Sequence, residues 1–316
     1  MLGWAVVGTG DIVRKRVFAA LKDEPRSRLR AAVSTHPERA RALGESYGVE
    51  RIYATLDEAL ADPEVNAVYV ATPVFLHCPQ TLAALAAGKH VLCEKPTALN
   101  PAEVERMMGA ARARNLRLGV AFYRRMYLKV RRARALLRQG ALGKVTLVWA
   151  SAHTWFDEEM LRERHWFLEP EKSGGGPLMD IGCHRLDVMN FLFGEPRVLS
   201  AAIGNQVHRF AVEDNATVAL EYPGGIRAVL DVRWNSRVNR DEFRIIGTEG
   251  EIDLTPLNDA EFRLNGVCES LPPHANLHYP MIENFVSAVL EGAELISSAE
   301  TAILTDRALA AAYGRS

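Results

Sequence analysis

Cysteine is scarce in this chain of 316 residues: Cys78, Cys93, Cys183 and Cys268 are the only four, and none stands at C-x-x-C spacing. That spacing gives no sign of a disulfide framework or a zinc ribbon and fits a reduced, cytoplasmic setting. No apolar run approaches the roughly 20 residues that a membrane span needs. Excess charge is missing too. A net charge of −1 argues against a general affinity for nucleic acid or an anionic membrane. There is no internal repeat and no low-complexity segment. The chain enters at once into an apolar, strand-like run with no basic-then-apolar leader, so no signal peptide is expected. What is present is 48% hydrophobic and 24% charged, the composition of a globular protein. Its length leaves room for two domains at about 100–200 residues each.

The chain is organised around Trp4-Ala5-Val6-Val7-Gly8-Thr9-Gly10-Asp11-Ile12-Val13. It reads as a buried strand, a Gly-Thr-Gly turn and the first turn of a helix running to about Leu21. Such a turn makes a backbone anion site. Gly8 allows the sharp bend, Gly10 lets a pyrophosphate approach the main chain, and the helix start offers unpaired N–H groups. An ordinary strand–turn–helix with no ligand is the plainer alternative. The third glycine of the dinucleotide fingerprint is Val13 here, which should push the helix slightly outward.

Strands and helices then alternate to Ala121: strands at Leu29–Val33, Arg51–Tyr53, Ala67–Ala71, His90–Cys93 and Leu116–Ala121. This rhythm predicts a parallel sheet covered on both faces, with ligands at the carboxyl ends of the strands. Gly8-Thr9-Gly10, Thr72-Pro73 and Glu94-Lys95-Pro96 all fall at such ends. At the end of the second strand, where an Asp or Glu would favour NAD, stand Ser34, Thr35 and His36, with Arg39 in the next helical turn. Hydroxyls and positive charge suit a 2′-phosphate, so NADP is favoured over NAD. Ser34 or Thr35 acting only as a helix cap is the alternative. Lys95, beside Glu94 at a half-buried strand end, is placed either to donate a proton or merely to order its loop.

From Arg106 to Phe156 there is no Asp or Glu. Met126, Val130, Ala133 and Leu137 recur at helical spacing, and Arg125, Arg131, Arg132 and Arg138 read as a solvated basic face. Near residues 121–124 the pattern changes to alternation of period two. Ala216, Val218, Leu220 and Tyr222, then Ile226, Ala228, Leu230, Val232 and Trp234, predict an antiparallel sheet with one open face, on which Arg227, Asp231 and Arg233 stand. The expected domains are 1–121 and 122–316, with the last helices packing back on the first. Between the early strands of this sheet, Ser173-Gly174-Gly175-Gly176 leads into a helix carrying Asp180 and His184, four apart and on one face. A histidine beside a carboxylate can carry a proton at neutral pH, although helix capping and packing would also account for the pair. A metal site would need a third ligand, and no obvious one follows. Trp155 and Trp166, in an aromatic and basic stretch with His153, Phe156, Arg162, Arg164 and His165, suit a sugar ring, a core edge or a subunit contact.

Taken together, Gly8-Thr9-Gly10, the run Ala87-Gly88-Lys89-His90-Val91-Leu92-Cys93-Glu94-Lys95-Pro96, and Gly174-Gly175-Gly176 through Asp180-x-Gly182-x-His184 make the sequence resemble the Gfo/Idh/MocA (glucose–fructose oxidoreductase / inositol dehydrogenase) family. The resemblance implies an α/β fold: an N-terminal Rossmann domain, then a C-terminal α+β domain with a large, mostly antiparallel open sheet. It implies NAD(P)-dependent oxidation or reduction of a sugar, cyclitol or polyol, with Lys95, Asp180 and His184 at the family's catalytic positions. Cofactor contacts are expected from Gly8, Thr9, Gly10, Asp11, Ile12, Ser34, Thr35, Arg39, Thr72, Pro73, His77, Glu94 and Lys95. Substrate contacts are expected from Lys95, Tyr123, Arg124, Trp155, Trp166, Asp180 and His184. No metal is expected, and the open sheet is expected to form a dimer or tetramer. Val13, and Val74 where many members have Asn, depart from the family pattern. A glycosidase using bound NAD transiently, or a non-catalytic NADP-binding sensor, are the competing readings.

Overall fold

The computed structural model describes residues 1–163 and 165–315, apart from the side chains of Arg39, Glu158, Leu161 and Glu163. Two compact units divide the chain: residues 1–123 with 274–303, and residues 124–273 with 304–316.

In the first unit six strands, β1 (Leu2–Val7), β2 (Ser27–Val33), β3 (Arg51–Tyr53), β4 (Ala67–Val70), β5 (His90–Cys93) and β6 (Leu118–Val120), form a parallel sheet ordered β3-β2-β1-β4-β5-β6. β1 and β4 are buried along their whole length, as unbroken apolar runs covered on both faces should be. Helices α1 (Phe18–Asp23), α2 (Pro37–Tyr47), α3 (Leu56–Ala61), α4 (His77–Ala86) and α5 (Pro101–Ala113) alternate with the strands. Their starts follow from capping chemistry. Thr55 and Glu58 form a reciprocal capping box on α3, and Asn100 caps α5 ahead of Pro101. The helix after β1 begins at Asp11 and takes π geometry from Val13 to Val17 before α1. Val13 is fully buried at the start of that wider stretch, so its bulk coincides with a local widening of the helix.

In the second unit eight strands, β7 (Val145–Trp155), β8 (Arg197–Gly204), β9 (Asn215–Tyr222), β10 (Ile226–Arg233), β11 (Asn235–Gly247), β12 (Glu251–Asp253), β13 (Glu261–Leu264) and β14 (Val267–Ser270), form a sheet ordered β14-β13-β12-β11-β7-β10-β9-β8. Every pairing is antiparallel except β7 with β10. The predicted alternation holds: Ala216, Val218, Leu220, Ala228, Leu230 and Val232 are buried. Helices α6 (Leu128–Arg138), α7 (Glu158–Glu163), α8 (Pro170–Ser173) and α9 (Cys183–Phe193) complete the unit. α10 (Tyr279–Leu290) belongs to the first unit, and α11 (Ala299–Ala312) begins in the first and ends in the second.

Two expectations about charge are corrected. Arg125 is not part of a solvated face: it is 1% exposed and grips Asp187 through two hydrogen bonds, Nε to Oδ2 at 2.9 Å and a terminal nitrogen to Oδ1 at 2.5 Å. The helical wheel misplaces it because Tyr123–Met126 is a 3-10 turn and α6 starts only at Leu128. On α6 itself the buried stripe is Val130, Ala133 and Leu136, with Leu137 half-buried. Asp231 lies on the open face yet is mostly buried, because His153, Thr217 and Arg233 close around it. Burial alone would raise its pKa, but those three donors hold the carboxyl well below the usual range.

Removing one partner of a buried ion pair leaves the other charge stranded. Asp187→Ala is therefore expected to cost the second unit about 3–5 kcal/mol, read by urea unfolding; a loss no larger than that of a surface pair would remove Arg125–Asp187 from the core.

Candidate active site

The carboxyl ends of four adjacent strands, β2, β1, β4 and β5, carry the first group of candidate residues. Gly8 follows β1 with φ +95°, and a Cβ there would lie 2.6 Å from the Ala71 carbonyl, so only glycine fits. Gly10 differs: a Cβ would meet nothing within 4 Å. Among the described residues no packing demands a glycine at this exposed position, which leaves bare backbone for a ligand. The N–H of Gly8 is engaged by the Val33 carbonyl at 2.9 Å, and the first helical bond of the next segment runs from Arg14 N to Gly10 O at 3.1 Å. The N–H groups between them are those a helix start offers to an anion. Asp11 draws in Arg14 and Lys15, each at 2.9 Å, and Ile12 is half-buried. The cradle fits the pyrophosphate of a dinucleotide.

After β2, Ser34 Oγ lies 3.0 Å from Thr9 Oγ1 and accepts from the His36 amide at 3.1 Å. Ser34 thus ties the β2 end to the glycine turn rather than capping α2, which has no side-chain cap. Thr35 is exposed. The side chain of Arg39 lies outside the described residues, as does Arg164. After β4, Thr72 Oγ1 donates to Gln80 at 2.7 Å, and Pro73 is half-buried. His77 is 1% exposed, with Nδ1 3.0 Å from the Pro96 carbonyl and Nε2 2.8 Å from the Thr72 carbonyl. It joins two strand-end loops, and a direct contact with cofactor would require it to leave both. Burial pushes its pKa down against those carbonyls.

After β5, Glu94 is buried. It accepts from Tyr69 Oη at 2.7 Å and from the Lys95 amide at 3.2 Å, and His278 Nε2 stands at 3.3 Å. Burial would raise its pKa, but His278, Tyr69 and Lys95 together hold it below the ordinary value. Glu94 is therefore an anchor under half-buried Lys95. Tyr123 lays its ring 4.8 Å from that of His278, beneath the Arg16 guanidinium at 5.5 Å. Tyr69 and His278 escaped the sequence reading: one lies within an apolar strand, the other 184 residues from Glu94.

In the second unit Leu178–Gly182 is a π turn that runs into α9. The turn carries Asp180, half-buried, and α9 carries His184, 6% exposed. Glu213 accepts from the amides of Gly176 at 2.8 Å and Leu178 at 3.2 Å, just ahead of that turn. Ile181 packs on a buried cluster of Phe156, Val212 and Trp234. Beyond the cluster, at the end of β7, an open cavity of about 920 Å³ is lined by Trp155, Phe156, His208, Phe210 and Arg237 among others. Arg237 covers the Trp155 ring at 4.1 Å, His208 meets Trp155 at 4.7 Å, and Phe210 stacks on His208 at 4.6 Å. Asp214 fixes the loop bearing His208 by accepting from the amides of Gln206, Val207 and His208. Burial works against its ionisation, but Asn215 and those amides hold its pKa down at about 2. Trp166 does not line the cavity; it meets Phe167 edge-on at 4.2 Å. Arg124 is 7% exposed and reaches Asn258 at 3.0 Å.

A doubly wound parallel sheet with a bare glycine cradle at its strand ends, followed by a mostly antiparallel open-sheet unit, defines an NAD(P)-binding oxidoreductase. Residues 2–122 match the family described as "Oxidoreductase family, NAD-binding Rossmann fold", and residues 130–253 match the "GFO/IDH/MocA C-terminal domain". The chain belongs to the Gfo/Idh/MocA family. It is 29% identical to 1,5-anhydro-D-fructose reductase of Ensifer adhaerens over 90% of this chain and 87% of that protein. It is 31% identical to trans-1,2-dihydrobenzene-1,2-diol dehydrogenase of Bos taurus over 80% of this chain and 74% of that one. The crystal structure of an aldose–aldose oxidoreductase from Caulobacter crescentus, complexed with glycerol, superposes with a TM-score of 0.89 at 30% identity, covering 99% and 96% of the two chains.

The two glycines of the cradle should respond differently to a methyl group. Gly10→Ala is expected to leave the melting temperature unchanged and to weaken NAD(P)H binding by roughly tenfold or more, because only a ligand meets the new Cβ. Unchanged affinity in a fluorescence titration would place the pyrophosphate elsewhere.

Proposed function

We propose that this oxidoreductase transfers a hydride between NADP and a sugar, cyclitol or related polyol or keto-sugar. The observation that carries the reading is the alignment of Ser34, Gly8–Gly10, Thr72 and Lys95 at the carboxyl ends of four neighbouring strands. Ligands of open α/β sheets bind at such ends. Relatives named for anhydrofructose, for a dihydrodiol and for aldoses support a polyhydroxylated substrate. NADP is preferred because Ser34, and no carboxylate, follows β2.

When bound, the nicotinamide gives or takes the hydride. The remaining work falls to this chain. Gly8, its own N–H held by Val33, makes the turn, and Thr9, Gly10, Asp11 and Ile12 hold the pyrophosphate on backbone N–H groups. Lys95, kept in place through Glu94, stabilises the negative charge that develops on the substrate oxygen. His184 takes the hydroxyl proton in oxidation and returns it in reduction, and Asp180 orients the substrate or His184. Trp155, at the cavity beyond β7, and Tyr123, Arg124 and Trp166 are assigned as substrate contacts. The assignment is tested by titrating with NADPH and NADH, then screening polyols and keto-sugars. NADPH is expected to bind about tenfold tighter. Lys95→Ala is expected to lower kcat by about a hundredfold or more with cofactor affinity within about threefold. Equal turnover in the variant removes Lys95 from the chemistry, and sugar release without net use of cofactor favours a glycosidase instead.

The open face of the eight-stranded sheet is proposed to meet a second copy of the chain, since Trp149, on the same face as Asp231, is 38% exposed. Sedimentation should then show a dimer or larger assembly, and a monomer at all concentrations would refute it. The cysteines fit a reduced cytoplasm, Cys78, Cys93 and Cys183 being buried thiols.

A further inference from the structure

The glycine loop ahead of Asp180 resembles a ligand cradle in sequence, but two of its glycines make room for other parts of this chain, Tyr313 and Glu213. A Cβ on Gly175 would lie 2.2 Å from Tyr313 Oη, and one on Gly176 would lie 2.1 Å from the Glu213 carbonyl. All three glycines of the loop are buried. The surrounding side chains form a brace. Tyr313, just after α11, donates its hydroxyl to Glu213 Oε1 at 2.6 Å. Glu213, just ahead of β9, accepts in turn from Gly176 N and Leu178 N. Arg315 donates to the Gly174 carbonyl at 2.6 Å, with its guanidinium 4.2 Å above the Tyr313 ring. The braced loop feeds the π turn directly: the Asp180 amide bonds the Gly176 carbonyl at 3.0 Å.

We propose that Glu213 and Tyr313 are positioning residues that fix the angle at which Asp180 and His184 are presented. This inference rests on the catalytic reading of Asp180 and His184. The loop itself has no side chains to fill its surroundings, so its path is set by what packs against it. Glu213 is mostly removed from water, where a hydrogen bond to an ionised carboxylate is stronger than a neutral one. Burial pushes the carboxyl up, and the Tyr313 hydroxyl with the two amides pulls it back toward the ionised form that can accept all three. The helix bearing His184 thus inherits its orientation from a segment more than a hundred residues further along the chain.

The test compares wild type with Tyr313→Phe, which deletes one hydroxyl and keeps the ring, and with Glu213→Gln, which turns an acceptor into a donor facing an amide. For Tyr313→Phe, kcat is expected to fall about tenfold, with KM for both substrate and cofactor within about twofold. Amide exchange over residues 174–184 is expected to quicken while the β9–β10 amides keep their protection, and the NMR signals of the His184 ring should move. Glu213→Gln is expected to show the same pattern with a larger loss of kcat. Unchanged kcat in both folded variants, or an equal rise in exchange across the whole unit, overturns the inference. Should the wild type turn over no polyol while the His184 ring signals still move in Tyr313→Phe, the brace stands and the catalytic reading falls. Unmoved ring signals overturn the brace regardless of activity.

Discussion

Where a strand or helix stops inside a packed sheet protein, its backbone polar groups must still find partners. In this protein single buried side chains meet that requirement, and the candidate residues of each unit rest on them. His77 spans the carbonyls of Thr72 and Pro96, and Glu94 takes the amide of Lys95. Ser34 takes the amide of His36. In the second unit Glu213 takes the amides of Gly176 and Leu178, and Asp214 takes three consecutive amides from Gln206 to His208. Each is a polar group that would be costly to bury unpaired and that rigidifies a loop once paired. Loops that must stay still while holding ligands gain that stillness from these side chains.

Lys129 shows the same device used for structure alone. Its ammonium is buried and donates to the carbonyls of Leu254, Pro256 and Glu261, closing the turn between β12 and β13. Burial pulls its pKa down to about 8 despite the nearby acids Asp241, Asp259 and Asp253. Arg125 on Asp187 is its counterpart a few residues earlier. A stretch of the chain without acids places cations beneath the second sheet, and acids from distant segments and bare carbonyls receive them.

Much of the fold was legible because it depends on local periodicity. Apolar runs such as Ala67–Val70 and the alternation in Ile226–Val232 specify strands whatever lies around them. The glycine turn after β1 and the boundaries of α3 and α5 follow from turn and capping chemistry within a few residues. Arg125 was misread because a 3-10 turn breaks the helical wheel, and Asp231 because exposure was inferred from alternation alone. The anchors were out of reach for a different reason. Tyr69 on Glu94, His278 on Glu94 and Tyr313 on Glu213 join residues 25, 184 and 100 positions apart. Nothing in a local window couples a phenol to a carboxylate at such separations. The glycine loop before Asp180 was legible as a loop, but not what two of its glycines make room for, Tyr313 and Glu213.

The stack on Trp155 has an optical consequence. Trp4 and Trp234 are wholly enclosed, while Trp155 sits at the cavity between a guanidinium and an imidazole, both groups able to alter indole emission. The molecule thereby carries its own fluorophore at the mouth of that cavity, and whatever enters there and displaces Arg237 announces itself in the intensity and colour of its light.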